Sequence, residues 1–324
     1  MAFDRNSKNF SFPGQFGILL GLFGGGIILG SLISAAVWVM MTGRPILSMA
    51  SDMLNPAYYG PIMLMQVIST LFMFFLPVYF FAKICYREPS LYLGFRTRFN
   101  FQQVFWVIVI LVLTFPLSGA LAEATKFIPL PQSWETKFKA MEAARASQEM
   151  ALIKIDSFYK YLISLFAIAI LPGIFEEVFF RGGLQNLMTR WSKMPWLAIG
   201  LTALVFSVVH LSYYGFFVRF ALGIILGLMF YYSGSLWLAI LMHFLYNGVQ
   251  VTLLYVFNGK GDILSTSEAE QPFPMWAGAL ALVLIIYAFK RFRDQSRLQQ
   301  QKFDLEDEED PDDFERWIAR QTQN

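Results

Sequence analysis

Apolar stretches long enough to cross a lipid bilayer recur along the whole chain, and they restrict its fold more than any other feature. A hydrocarbon core of about 30 Å takes about 20 helical residues at about 1.5 Å each, and a backbone in lipid must satisfy its own hydrogen bonds. Such runs are read at about 16–41, 61–84, 103–122, 157–180, 196–212, 217–233, 236–257 and 275–290. The expected fold class is therefore all-α, a polytopic membrane helix bundle with about eight transmembrane helices. Composition agrees: 56% of the 324 residues are hydrophobic, 15% are charged, and the mean hydropathy is +0.50, too apolar for a soluble domain of this size.

Basic residues sort the connections. Arg5 and Lys8, then Lys83, Arg87, Arg96 and Arg98, then Arg190 and Lys193, then Lys290, Arg291, Arg293 and Arg297 fall at every second connection. An even number of crossings puts all four clusters, and both termini, on the cytoplasmic side. The intervening connections are neutral, mixed or acidic, as at Asp262, Glu268 and Glu270. The first run exceeds the roughly 7 to 15 apolar residues of a secretory signal core, so it reads as an uncleaved spanning helix. Gly21, Gly25, Gly26 and Gly30 repeat along it at a spacing that lets a neighbouring helix approach closely. A net charge of +2 gives no case for nucleic acid, and a single cysteine, Cys85, permits no intrachain disulfide.

Three regions are expected. Residues 1–150 hold the first three spanning helices and most of a mixed-charge helix over about 134–156, read as lying along the membrane surface, with a substrate lid as the alternative. Residues 151–257 hold helices four to seven and all the chemistry. Residues 258–324 hold the last helix and an acidic run from Asp304 to Glu315, expected to be a solvated, disordered tail.

An ionisable side chain inside a membrane costs several kcal/mol unless it is paired or wetted, so each one demands an explanation. The fourth run reads L-P-G-I-F-E-E-V-F-F-R-G-G and holds Glu176, Glu177 and Arg181. The fifth contains Phe206 and His210, the seventh His243 and Asn247, and these are the chain's two histidines. Glu177 and Arg181 stand four apart, share a helix face and can pair, while Glu176 turns about 100° away. His243 and Asn247 are likewise four apart. Counting about 1.5 Å per residue from the cytoplasmic ends puts Glu176 roughly 22 Å deep, His210 roughly 21 Å and Asn247 roughly 17 Å, so the groups can meet. For that, the fourth helix must continue to about Trp191 and bend, most naturally at Pro172 and Gly173.

A carboxylate beside a neutral imidazole can hold a water and take its proton, which makes Glu176 with His210 a hydrolytic base. An imidazole and an amide on the facing helix, His243 and Asn247, can donate to the oxygen that gains charge when water attacks a peptide carbonyl. Glu177 with Arg181 would then be supporting groups that orient Glu176. The bland alternatives are a structural ion pair for Glu177 and Arg181, and packing histidines bonded to carbonyls.

At these positions the sequence resembles the CPBP family of intramembrane proteases, which includes type II CAAX prenyl endopeptidases and bacteriocin-processing or self-immunity relatives. The family pattern E-E-x-x-x-R, then F-x-x-x-H, then H-x-x-x-N or D is met by Glu176, Glu177 and Arg181, by Phe206 and His210, and by His243 and Asn247. The likeness covers about Phe158 to Thr252. It implies an endopeptidase acting on a membrane-associated peptide or protein substrate, with Glu176 and His210 activating water and His243 and Asn247 binding the oxyanion. Zinc is an option for such a family, held by Glu176, His210 and His243, although no H-E-x-x-H is present and asparagine is a poor zinc ligand. A proton-relay transporter and a catalytically idle immunity or scaffold protein on the same fold are the competing functions.

Overall fold

The computed structural model describes residues 7–52, 55–97, 99–153, 155–257 and 273–309. Among them, helix is the only regular structure apart from an isolated bridge between Ser7 and Tyr86. Arg5, Arg98, the acidic connection with Asp262, Glu268 and Glu270, and the tail beyond 309 lie outside the described residues.

The long helices are α1 (Phe12–Thr42), α2 (Tyr59–Cys85), α3 (Phe101–Lys126), α4 (Gln132–Ile153), α5 (Phe158–Ser192), α6 (Pro195–Val209), α7 (Phe216–Ser233), α8 (Leu236–Val256) and α9 (Met275–Glu309). Seven of them are long and apolar enough to cross a membrane, all except α4 and α6, so the chain is an integral, multi-pass membrane protein. The fifth expected run becomes α6, which has 15 residues and reaches only roughly 22 Å. Only 11% of the most apolar window of α1 is buried in protein, which leaves the rest to lipid.

Local chemistry sets the ends. Ser11 caps α1 and Gly43 closes it in the left-handed conformation; Asn100 and Gln103 form a capping box on α3; Ser157 caps α5. Of the four glycines expected to admit a neighbour, Gly26 and Gly30 do so, against Phe72 of α2, whereas Gly21 and Gly25 face open space. Helix α9 runs on to Glu309, so the acidic run is helical as far as that residue. The Leu, Glu, Gln, Lys and Arg content of α9 favours helix, and the remainder of the acidic run, 310–315, lies outside the described residues.

Two hydrophobic clusters divide the bundle. One gathers α1, α2, α5 and Phe206 of α6, and the other gathers α3, α7 and α9. Helix α8 contributes to both, through Leu236 and Ile240 on one side and Leu238, Met242 and Tyr246 on the other. Its His243 is therefore held between packed layers and is 3% exposed.

Candidate active site

The segment bearing the carboxylates is not a plain α-helix. Within the 35 residues of α5, π-helical turns at Leu165–Ile170 and Val178–Gln185 flank an α-helical stretch at Leu171–Glu177. Pro172 and Gly173, where a bend was expected, lie in the α-helical stretch between the two π-helical turns. In an α-helix Ile168 would give its carbonyl to residue 172, but proline has no N–H and its ring crowds that oxygen. Asn247 supplies the missing donor from α8, its Nδ2 lying 3.3 Å from Ile168 O. Gly173 keeps the two backbones close, since a Cβ there would stand 3.1 Å from Phe244 N.

Consecutive carboxylates consequently look in different directions. Glu177 Oε1 accepts from Arg181 Nη1 at 2.6 Å and from His243 Nδ1 at 2.7 Å, and both acid and guanidinium are fully buried. Glu176 points instead toward α6, with Oε2 4.0 Å from His210 Nε2. That distance is too long for a hydrogen bond and suits a shared water. Glu176 Oε2 is buried and has no hydrogen-bond partner among the described residues.

The imidazoles are oriented through their other nitrogens. His210 Nδ1 lies 2.6 Å from Phe206 O; a carbonyl only accepts, so Nδ1 donates and Nε2 is the nitrogen that faces Glu176. The Phe206 ring holds the rest of the set together, with the His210 ring at 4.8 Å, the His243 ring at 6.0 Å and the Arg181 guanidinium at 4.8 Å. The structure thus brings Glu176 to His210, and Glu177 with Arg181 to His243. It turns one N–H of Asn247 to the α5 backbone.

Close backbone approaches make this arrangement feasible. Arg181 Nη2 donates to Gly223 O at 3.2 Å and Gln185 Nε2 to Gly227 O at 3.0 Å, a two-rung ladder between α5 and α7. A side chain at Gly223 would stand 2.9 Å from Ala203 Cα, and one at Gly182 2.8 Å from Leu93 O. Helix α6 stops at His210 because Leu211 takes the left-handed conformation, φ 52°. The turn beyond is braced by Ser207 Oγ donating to Phe216 O at 2.6 Å and by Gly215 N donating to Ser212 Oγ at 3.0 Å. Helix α4 sits on that turn: Ser212 donates to Glu142 at 3.0 Å and the Phe138 ring stacks on Tyr213 at 4.6 Å.

Sequence reasoning passed over Arg219, which is 4% exposed within the apolar run of α7. It stands one turn before Gly223, and its guanidinium fills the space that a side chain at Gly215 would need. The cost of burying a cation was the signal that could have found it. Gln185 and the Gly223–Gly227 pair were also missed, because their importance comes from a neighbouring helix and not from their own spacing.

Zinc requires three protein ligands around one point. Both histidines have the Nδ1 contact typical of a ring that binds metal through Nε2, yet no group of three or more His, Cys, Asp or Glu side chains among the described residues is positioned to hold a metal ion. As they stand, Glu176, His210 and His243 do not fit that ion.

Residues 158–249 match the family model described as type II CAAX prenyl endopeptidase Rce1-like. No curated protein and no solved structure matches the chain. The match covers a little over a quarter of the sequence and includes all of the candidate residues. It supports assignment to the CPBP/CAAX protease family and, in general terms, an intramembrane CAAX-type endopeptidase. Such a membrane-embedded protease implies a bilayer and a membrane-associated substrate.

Proposed function

We propose that this member of the CAAX protease family cleaves peptide bonds with a water held between Glu176 and His210, without a metal. The observation that carries the reading is the pairing of a buried, unpartnered Glu176 Oε2 with a fixed His210 Nε2 at 4.0 Å. Water bridging the two gives a proton to Glu176 as its oxygen attacks the scissile carbonyl. The proton then passes to the leaving nitrogen as the C–N bond breaks, yielding a carboxylate and an amine.

The oxyanion is held by His243 and Asn247. With Nδ1 given to Glu177, His243 offers an Nε2–H only as the imidazolium, and Glu177 is the counter-ion that this form requires. Asn247 contributes its second amide N–H. Arg181 neutralises the excess charge of two adjacent carboxylates. Both termini are assigned to the cytosol on the charge of the connections, and α4 is assigned to the entrance beside His210.

Glu176→Gln keeps the shape and removes the base. Cleavage of a membrane substrate by the purified protein is expected to fall by about 10²–10⁴-fold with unchanged thermal unfolding. Retained cleavage sinks the assignment. Metal analysis of the active protein tests the rest: one equivalent of zinc, with activity lost to a chelator and restored by the ion, replaces the metal-free mechanism.

A further inference from the structure

Away from the candidate active site, α3, α6, α7 and α9 enclose a groove of about 640 Å³, within the range of small-molecule sites. It lies on a different face of α7 from Gly223 and Gly227, and opens outward past Trp196 and Ile286, which are 61% and 64% exposed. Its polarity is segregated. Leu117, Ile224 and the rest of its wall along the bundle are apolar. Trp196, Tyr232, Lys290 and Arg293 gather at one end, with the Trp196 and Tyr232 rings 6.5 Å apart and the Arg293 guanidinium 6.0 Å from the Tyr232 ring. Arg293 Nε is buried there with no partner among the described residues.

A groove that is greasy along its length and cationic at one rim matches an amphiphile with an anionic head. The geometry points to a binding site for an anionic phospholipid, its acyl chains along α7 and α9 and its phosphate at Lys290 and Arg293. Two cations supply charge complementarity, and the guanidinium's planar fork fits phosphate. A peptide is a poor occupant, because the apolar wall would leave its backbone N–H and C=O groups unsatisfied. Acyl chains need no such partners. Trp and Tyr at the cationic rim suit the depth of a headgroup.

The test is lipid binding by the full-length protein in neutral detergent, read by native mass spectrometry and by thermal shift. Phosphatidylglycerol, phosphatidylcholine, inorganic phosphate and an uncharged farnesylated peptide serve as separate probes. Phosphatidylglycerol is expected to bind and to raise the melting temperature more than phosphatidylcholine. The double variant Lys290→Gln/Arg293→Gln is expected to lose that preference by roughly 30-fold, as two cations near an anionic head require. Lys83→Gln/Arg87→Gln, which removes equal charge from another basic connection, is expected to keep it. Four results overturn the site: equal response to the two lipids, unchanged preference in the first double variant, an equal loss in the second, or full competition by the farnesylated peptide. A response to inorganic phosphate alone that equals the response to lipid overturns the role of the groove. Ala221→Phe, which narrows the groove without touching a charge, is expected to weaken phosphatidylglycerol binding; binding at full strength overturns the proposal independently of the charge variants.

Discussion

Arg181→Met isolates what the buried ion pair contributes. The guanidinium is fully buried, bonds Glu177 Oε1 at 2.6 Å and Gly223 O at 3.2 Å, and lies over the Phe206 ring at 4.8 Å. Methionine fills much of the volume but removes every one of those donors. Glu177 is then a buried carboxylate that retains only its contact with His243, and Gly223 O loses the guanidinium donor. Breaking a buried pair from one side costs about 3–5 kcal/mol, with a carbonyl left unsatisfied adding toward the upper end. Glu177→Gln should destabilise by a comparable amount, because it leaves the guanidinium uncompensated.

The double variant Glu177→Gln/Arg181→Met leaves no uncompensated charge in the pair. It should recover about 2–3 kcal/mol relative to the sum of the single variants. Reversible unfolding in mixed micelles measures all three against the wild type. Activity should not recover, because His243 no longer faces a carboxylate. An Arg181→Met protein within about 1 kcal/mol of wild type, or strictly additive single variants, would refute the claim that this pair stabilises the packing of α5 against α7 and α8. Recovered cleavage in the double variant would refute the counter-ion role of Glu177.

Three further outcomes follow from the geometry. Asn247→Asp sets an acceptor against Ile168 O and should cost about 1–3 kcal/mol; Pro172→Ala, which returns a backbone N–H to that carbonyl, should restore stability in the double variant but not cleavage. Leu211→Gly should leave unfolding unchanged or raise stability by up to about 1 kcal/mol, while Leu211→Ile, a β-branched residue in the left-handed region, should lower both stability and turnover by displacing His210. Phe138→Ala removes the stack on Tyr213 and should speed proteolytic nicking within α4 with the thermal midpoint nearly unchanged; a drop in midpoint without faster nicking would make α4 part of the core instead of a cover.

What could be read without coordinates was whatever depends on a single helix. The length of α5 and the Glu177–Arg181 pair at four-residue spacing follow from helix geometry. So does the divergence of Glu176 from Glu177. What resisted was register between helices. Spacing of four residues says that His243 and Asn247 share a face, but not that His243 meets Glu177 while Asn247 reaches Ile168 O. The end of the fifth run was read within a few residues, at 212 against Val209, but its cause was hidden, because no glycine or proline marks it and the left-handed turn falls on Leu211.

Arg219 shows the complementary failure, in which the physical signal was present in the sequence and went unused. A cation in an apolar run carries the same cost whether or not it belongs to a spaced motif, so the burial argument that singled out Glu176 applied to it equally. The π-helical turns join these two lessons. An α-helix with proline at 172 leaves an orphaned carbonyl, and the chain can answer it by kinking, by a water or by a donor from elsewhere. Here the donor is Asn247 of α8, and the same two helices carry Glu177 and His243. The repair of one backbone defect therefore fixes the relative position of the groups assigned to catalysis, which is why Pro172 and Asn247 should couple energetically through the Ile168 carbonyl that they share.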